Sequence, residues 1–217
     1  MKVNFEVSAK AARLIGRENI SDVDGALSEL IKNAYDADAS CVYVDFYIPF
    51  TEVPSQVTPD RFSSVLTATD LAEIMKFYHL ENGYLVRKEG ISDKEKQRLQ
   101  DVLFRYNRII VADNGEGMPM DIVSSSWMQI ATSSKESDIE STKGRIKTGA
   151  KGIGRFALDK LSVRSVMYTK SQTKRAIRWE VNWDQFTNAQ LLSEVYADVQ
   201  ETEDTFEKIL YHNLDSE

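Results

Sequence analysis

The spacing of apolar and polar positions predicts a chain that mixes helices and strands. Residues 22–38 carry apolar side chains at helical spacing, which predicts an amphipathic helix. Its predicted buried face consists of Val23, Ala26, Leu27, Leu30, Ile31 and Ala34. Residues 41–48 alternate instead, as in a strand with one buried face. The side chains on that face are Val42, Val44, Phe46 and Ile48.

The middle of the chain, residues 51–107, has a less regular pattern. Prolines at 49, 54 and 59 end the preceding strand and open a polar loop. Residues 69–82 and 92–106 then have helical character. Because the apolar content of 51–107 is modest, we interpret it as an inserted segment rather than a second domain.

The second half returns to clear patterns. Residues 108–112 predict a buried central strand, and a helix follows over about 120–130. The predicted core face of this helix is Ile122, Val123, Trp127 and Ile130. A further helix is expected over 155–161, followed by a strand pair at 162–169 and 174–183. After Phe186 the chain is acidic and weakly patterned, and one interpretation is a helix that packs on a part not contained in this sequence.

Composition narrows the function classes. The 217 residues are 42% apolar and 28% charged, as in an ordinary globular protein with its own core. The net charge of −7 argues against a surface devoted to nucleic acid, although it leaves room for a local basic patch. The single Cys41 excludes an internal disulfide, and no Cys/His cluster offers a zinc site. No apolar run approaches the ~20 residues that cross a bilayer, so we expect a cytoplasmic protein without membrane contact.

The first chemical motif lies on the predicted helix 22–38. Glu29, Asn33 and Asp36 fall on one arc of the helix, beside its apolar stripe. An amide oxygen can take one position on octahedral Mg²⁺, and a carboxylate one turn earlier can deprotonate an attacking water. The alternative is a polar helix face without a chemical role.

The second motif, DNGEGM at 113–118, follows the predicted strand at 108–112. Ligands often lie at strand ends in α/β proteins, and glycines let the backbone approach a flat ligand closely. Asp113 can accept a hydrogen bond from an exocyclic amine such as that of adenine, and Met118 can form an apolar wall. A simple turn is the alternative, since Asn-Gly is a frequent turn pair.

The third motif, GAKGIG at 149–154, stands directly before a predicted helix. Its glycines and the helix N-terminus suit an anion, and Lys151 can add a charge. Alone the pattern is weak, and it differs from a Walker A loop, which ends in GK[ST]. Between Ser133 and Arg155, however, six basic residues face three acidic ones in a chain that is acidic overall, as expected where a triphosphate binds.

Together, the three motifs resemble the GHKL ATPase superfamily, which includes DNA gyrase B, the ninety-kilodalton heat-shock chaperone, sensor histidine kinases and MutL. The matching segments are ELIKNAYDADA (29–39), DNGEGM (113–118) and TGAKGIGRFALDKLS (148–162). Their order and context agree with the superfamily. The likeness is nearest to the hydrolysing bacterial branch of MutL, MORC and chaperone-like proteins.

The resemblance implies an α/β two-layer sandwich of the Bergerat type, with a mixed sheet, helices on one face and a mobile ATP lid. It implies an ATP-binding domain over 1–186, with 51–107 inserted and 133–148 as the lid. Residues 187–217 would be an acidic tail or the start of a following domain. The implied cofactors are ATP and Mg²⁺.

The resemblance also assigns roles to individual residues. Glu29 would be the general base and Asn33 the Mg²⁺ ligand. Asp36 would line the pocket, and Asp113 would bind the adenine amino group. The wall of the adenine pocket would be Gly115, Gly117 and Met118. Ser134 and Lys135 would lie near the lid hinge. The loop that closes over the β- and γ-phosphates would be Gly149, Ala150, Lys151, Gly152, Ile153 and Gly154.

The implied function is slow, Mg-dependent ATP hydrolysis coupled to lid closure. Sensor kinases typically lack a carboxylate at the position of Glu29, so its presence favours hydrolysis. The alternatives are a histidine-kinase-like phosphotransfer domain and a nucleotide-gated binding module with negligible turnover.

Partners follow from the same resemblance. We expect an ATP-dependent homodimer and a downstream domain or protein client, with nucleic acid as a partner only through further domains. Several relatives receive an additional phosphate-contacting Lys from a following domain, for which this chain has little room. We therefore expect the chain to be the N-terminal part of a longer protein.

Overall fold

The computed structural model of the protein describes residues 6–130, 140–148, 154–172 and 174–203. The chain divides into two compact units. The first unit comprises Met1–Val42 and Ala112–Glu217, and the second comprises Tyr43–Val111. None of the helices in the described ranges is long and apolar enough to cross a membrane.

Helices and strands alternate along the chain. The helices are α1 (Ala9–Glu18), α2 (Val23–Asp36), α3 (Pro59–Ser63), α4 (Ala68–Ile74), α5 (Asp93–Phe104), α6 (Met120–Ile122), α7 (Phe156–Leu161) and α8 (Gln185–Asn188). The strands are β1 (Val42–Tyr47), β2 (Gln56–Val57), β3 (Tyr78–Glu81), β4 (Tyr84–Arg87), β5 (Arg108–Asp113), β6 (Arg164–Thr169), β7 (Ala176–Asn182) and β8 (Asp198–Thr202). A π-helical turn (Val123–Trp127) continues α6, and 3₁₀ turns occupy Met75–Phe77 and Leu192–Glu194. The mixed α/β fold class predicted from the sequence is confirmed.

The first unit packs helices on an antiparallel sheet of order β6-β7-β8. Alternate residues of β7 are buried, namely Ile177, Trp179 and Val181, as the sequence pattern predicts. They pack with Phe156 of α7 and with Trp183 in one hydrophobic core. This packing fixes α7, and with it the chain that enters α7 at Gly154.

The second unit has a hydrophobic core of its own. Phe62, Ile74, Leu99 and Leu103 are fully buried in it. Its three-stranded antiparallel sheet has the order β2-β4-β3. A capping box at Ser92 begins α5, in agreement with the helix predicted over 92–106.

Strands occur in two segments for which helices were predicted. The helix predicted over 69–82 ends at Ile74, and residues 78–81 form β3, paired antiparallel with β4. Asn82 and Gly83 between them have φ of 49° and 83°, as a tight hairpin turn requires. The weakly patterned segment after Phe186 was interpreted as a helix, but its described part contains β8, whose Val199 lies opposite Trp179. Residues 204–217 of this segment lie outside the described residues.

Several predicted core positions are exposed. In α2, Ala26 and Ala34 are buried, but Val23 and Ile31 are about half exposed because they lie at the first residue of the helix and at the edge of its apolar stripe. Ile122 is also exposed, whereas Val123 is fully buried. In β1, Val42 and Val44 are half-buried, while Phe46 and the following Ile48, just beyond the strand, are exposed.

The strand predicted over 108–112 forms as β5, but it is not a buried central strand. Its side chains are half-buried or exposed, and in the described residues it pairs with β1 in a two-stranded sheet. An apolar run indicates that a strand can be buried, but its burial depends on what packs on it.

Candidate nucleotide-binding site

Helix α2 presents the first group of predicted site residues. The side chain of Asp22 accepts a hydrogen bond from the Gly25 N–H at 2.8 Å and so caps the helix start. Glu29 and Asn33 lie one turn apart and are half-buried, and Asp36 is the last residue of the helix and is buried. The helix thus places a carboxylate and an amide side by side, with a second carboxylate at its end.

Gly154 brings the glycine-rich motif to this face of α2. A Cβ atom on Gly154 would lie 3.4 Å from Asn33 Nδ2 and 3.6 Å from Glu29 Oε2. Glu29 Oε1 accepts a hydrogen bond from Lys32 Nζ at 2.8 Å, so one carboxylate oxygen faces Lys32 and the other faces Gly154. Gly154 therefore lies next to Asn33 and Glu29, although more than 120 positions separate it from them in the sequence.

Asp36 holds the chain at the other side of this motif. Its Oδ1 accepts hydrogen bonds from the Thr148 N–H at 2.8 Å and the Thr148 hydroxyl at 3.1 Å. The segment that the sequence assigns to the lid is therefore attached, at its last residue, to the helix that presents Glu29 and Asn33.

The DNGEGM motif contacts the C-terminal end of α2. The Glu116 N–H donates to the Ala37 carbonyl oxygen at 2.9 Å. A Cβ on Gly115 would lie only 2.7 Å from that same oxygen, so this position has no room for a side chain. Asp113 is exposed at the end of β5, and its Oδ1 accepts from the Gly115 N–H at 2.8 Å.

The end of the same motif is attached to β6. Gly117 has a φ of 66°, and a Cβ there would lie 2.2 Å from the carbonyl oxygen of Lys170. The Met118 N–H donates to the Thr169 hydroxyl at 2.7 Å, and Thr169 is buried. Sequence reasoning missed Thr169, for which a polar residue at the end of a predicted strand was the available signal.

A second residue that sequence reasoning missed is Asp38, just after α2. It is 1% exposed and has a φ of 60°. Its carboxylate accepts hydrogen bonds from the Ser141 hydroxyl at 2.6 Å and the Lys143 N–H at 2.9 Å. Burial alone would raise the pKa of Asp38, but these hydrogen bonds and the charges of Arg145 and Lys143 lower that pKa below its ordinary value.

Arg145 reinforces this attachment. Its Nη1 donates to the carbonyl oxygens of Ala39 at 2.7 Å and Tyr35 at 3.3 Å. Its guanidinium also lies 4.9 Å from the centre of the Tyr35 ring. Residues 141–148 are therefore docked on the end of α2, a contact that no local sequence pattern indicates.

Several residues predicted to belong to the ATP site, at the lid hinge or at the phosphates, lie outside the described residues. They are Ser134, Lys135, Gly149, Ala150, Lys151, Gly152 and Ile153. Within the third motif, residues 149–154, the structure describes Gly154. It also describes Thr148, which directly precedes the motif. Their roles stay predictions.

The donor set of the site suits Mg²⁺ that arrives with a nucleotide. In the described ranges, no group of three or more His, Cys, Asp or Glu side chains could hold a metal ion. Mg²⁺ usually keeps several waters and binds through one or two protein oxygens together with substrate phosphates. Asn33 Oδ1 beside the open face of Gly154 is compatible with that arrangement, and a permanent metal site is not required.

Comparison with known families agrees with this geometry. No curated protein matches the chain. The family described as "Histidine kinase-, DNA gyrase B-, and HSP90-like ATPase" matches residues 91–211. The match contains Asp113, Gly117 and Gly154, while Glu29 and Asn33 lie before it and join the site only through the fold. Because the match covers more than half of the chain, this protein belongs to the family of histidine kinase-, DNA gyrase B- and HSP90-like ATPases, whose GHKL-type domain binds ATP.

Proposed function

We propose that the first unit binds ATP with Mg²⁺ and hydrolyses it slowly, with closure of residues 133–148 over the phosphates. The observation that carries this proposal is the position of Gly154, whose missing side chain leaves open the space facing Asn33 and Glu29. A nucleoside triphosphate needs backbone without side chains close to a metal ligand and a general base.

Asp113 and Met118 provide the base-binding side in this proposal. The Asp113 carboxylate is exposed, so it remains accessible to the exocyclic amine of adenine while it accepts from the Gly115 N–H. Met118 is half-buried and packs against the hydrophobic core, which gives an apolar wall of fixed position. Because Gly115 and Gly117 have no side chains, this turn can pack closely against the carbonyl oxygens of Ala37 and Lys170.

Asn33 would hold the Mg²⁺ ion. When bound, the ion would neutralise charge that develops on the phosphate oxygens. Glu29 would orient a water and accept its proton, since its Oε2 faces the same space as Asn33. The Lys32 ammonium at 2.8 Å from Oε1 fixes the orientation of this carboxylate.

Residues 141–148 are attached to the end of α2, so closure in this proposal starts from a docked segment. Thr148 is bonded to Asp36, and Ser141 is bonded to Asp38, on the helix end that carries the site. In this proposal Ser134 and Lys135 lie near the hinge of the lid, and the 149–153 loop completes the phosphate contacts. Lys151 is the candidate for a direct contact.

The test compares Glu29→Gln with Asp24→Asn. Both changes remove one negative charge from α2, but Asp24 lies in the exposed first turn. We expect Glu29→Gln to lower the rate of phosphate release by about 100-fold or more, the usual contribution of a general base, and to retain ATP binding. Asp24→Asn should keep wild-type turnover.

Retained turnover in Glu29→Gln would remove the catalytic role of Glu29. With γ-labelled ATP, label on a protein side chain together with little free phosphate would instead favour phosphotransfer. Loss of ATP binding in Asn33→Ala, measured with and without Mg²⁺, would support the proposed metal ligand.

The intact Glu29 also favours the hydrolysing MutL, MORC and chaperone-like branch. ATP-dependent homodimerisation belongs to the same proposal. Molar mass measured by light scattering with a non-hydrolysable ATP analogue should double, and an unchanged mass would contradict it.

A further inference from the structure

The first unit contains a cavity of about 710 Å³. Its walls are mainly apolar, and all three tryptophans of the chain, Trp127, Trp179 and Trp183, lie along it with Phe156. None of the described residues that line it belongs to the proposed adenine or Mg²⁺ contacts. The volume lies in the range of sites that enclose small organic ligands.

Arg155 places a cation in this apolar wall. Its Nη2 donates to the Ser126 carbonyl oxygen at 3.1 Å, and its guanidinium lies 5.4 Å from the centre of the Trp127 ring. Burial lowers the pKa of Arg155 to about 10, so the side chain is still protonated at neutral pH. The cavity therefore carries a positive charge.

This charge has unused hydrogen-bond donors. Arg155 Nε and Nη1 and Trp127 Nε1 each have less than 1 Å² of accessible surface, and among the described residues none of them has a hydrogen-bond partner. The Arg155 and Trp127 side chains must therefore turn towards the cavity for a ligand to reach these donors. The described lining residues include no Asp or Glu that could balance the charge. Buried donors without partners are unfavourable, and charged ones more so, which makes an anion the natural complement.

We propose that the cavity binds a small aromatic carboxylate, with its carboxylate on Arg155 beside the Trp127 N–H and its ring against Trp179 and Trp183. The aromatic walls favour a flat ring, since offset and edge-to-face ring contacts are attractive. The proposal concerns a second ligand of the first unit and does not depend on hydrolysis of ATP.

The probe for the test is 2-naphthoate, and its neutral counterpart is 2-naphthamide. Because every tryptophan of the chain lines the cavity, binding is followed by intrinsic fluorescence, recorded in front-face geometry and corrected for absorption by the naphthalene ring. We expect saturable binding of the acid, at least about 10-fold tighter than that of the amide, since a hydrogen bond to a charged group contributes about that factor or more. Equal affinities would overturn the role of Arg155.

Arg155→Met removes the charge at similar length. This variant should weaken the acid about 10- to 100-fold and leave the amide unchanged. Arg175→Met is the matched control, because the side chain of Arg175 is exposed and does not line the cavity. It should bind the acid like the wild type.

The full chain is then titrated with 2-naphthoate in the presence of saturating ADP and Mg²⁺. Binding of both ligands together supports a separate site. Competitive displacement by ADP would show that the cavity belongs to the nucleotide site and would overturn the proposal. Absence of any saturable fluorescence change with 2-naphthoate at millimolar concentration would overturn it as well.

Discussion

Gly117 and Gly154 both belong to glycine-rich motifs, yet an added methyl group would meet different surroundings at the two positions. At Gly117 the φ of 66° is unfavourable for any residue with a Cβ, and the Cβ would lie 2.2 Å from the Lys170 carbonyl oxygen. At Gly154 the nearest atoms would be those of Asn33 and Glu29 at 3.4–3.6 Å, which is ordinary contact. The same substitution to Ala should therefore have opposite consequences.

The magnitudes follow from these distances. A residue forced into the left-handed region loses roughly 1–2 kcal/mol, and overpacking against a backbone atom costs about 1–3 kcal/mol more. Gly117→Ala should thus lower the free energy of unfolding by about 2–5 kcal/mol. Gly154→Ala should change it by less than about 1 kcal/mol, on the stabilising side, because Ala restricts the unfolded chain.

Binding should reverse this order. The methyl group of Gly154→Ala would occupy the space that the proposed Mg²⁺ and phosphates need beside Asn33. We expect its affinity for ATP to fall about 10-fold or more, which corresponds to about 1.4 kcal/mol. The folded fraction of Gly117→Ala should keep its phosphate contacts, since Gly117 lies at the adenine side of the proposed site.

Urea denaturation followed by tryptophan fluorescence measures the stabilities, and titration with a fluorescent ATP analogue measures the affinities. Gly144→Ala is the control, since Gly144 has a φ of 77° but no atom within 4 Å of a Cβ, so it isolates the backbone cost. If Gly117→Ala unfolds at the same urea concentration as the wild type, the argument that a Cβ at this position collides with the Lys170 carbonyl oxygen is refuted. If Gly154→Ala binds ATP as the wild type does, the proposed phosphate position is refuted.

Three further predictions concern charged or ionisable groups. Asp38→Asn should accelerate hydrogen exchange of the Lys143 amide. In the wild type the same acceleration should appear only at pH values below the ordinary pKa of an aspartate, because the lowered pKa keeps Asp38 ionised down to that range. Arg13→Met should lower the free energy of unfolding by about 3 kcal/mol in urea, because it leaves the buried carboxylate of Asp159, bonded at 2.7 Å, without its main partner; an unchanged midpoint would contradict this. Burial raises the pKa of Tyr78 to about 12, so its stabilisation is complete below pH ~10 and is lost as the pH rises towards 12; Tyr78→Phe should abolish that alkaline loss in thermal melts of the protein.

The elements that the sequence predicts well are those with long local patterns. Helix α2 has apolar residues at regular spacing over four turns and a capping Asp22, so its ends are encoded within the segment itself. The strands β6 and β7 alternate clearly, with Ile177, Trp179 and Val181 on the core side. Such patterns need no knowledge of the partner.

Of the two strands that the sequence prediction missed, one depends on a partner strand and the other had a local signal. Strand β8 has one apolar side chain, Val199, and its conformation follows from pairing with β7 rather than from its own composition. Strand β3 could have been predicted from the sequence. Asn82-Gly83 between two short alternating segments is a strong hairpin signal, and it outweighs the helical spacing of residues 69–82.

The candidate site shows the same division at the level of single residues. Glu29 and Asn33 could be placed on one helix face from spacing alone, and Asp113 at a strand end from the pattern before it. That Gly154 meets Asn33 could be inferred only through the resemblance, since chain spacing sets no distance between them. Asp38 was found by neither route, because its hydrogen-bond partners Ser141 and Lys143 lie 103 and 105 residues further along the chain.

This docking has a consequence for how the site can work. Asp36 and Asp38 lie two residues apart at the end of α2, and each accepts two hydrogen bonds from the segment 141–148. Any movement of residues 141–148 relative to α2 must therefore break these bonds. Because α2 also carries Glu29 and Asn33, the proposed general base and metal ligand, loss of the bonds would release the end of the helix that presents them. In the proposed function, attachment of this segment and the position of Glu29 and Asn33 are thus coupled through one helix.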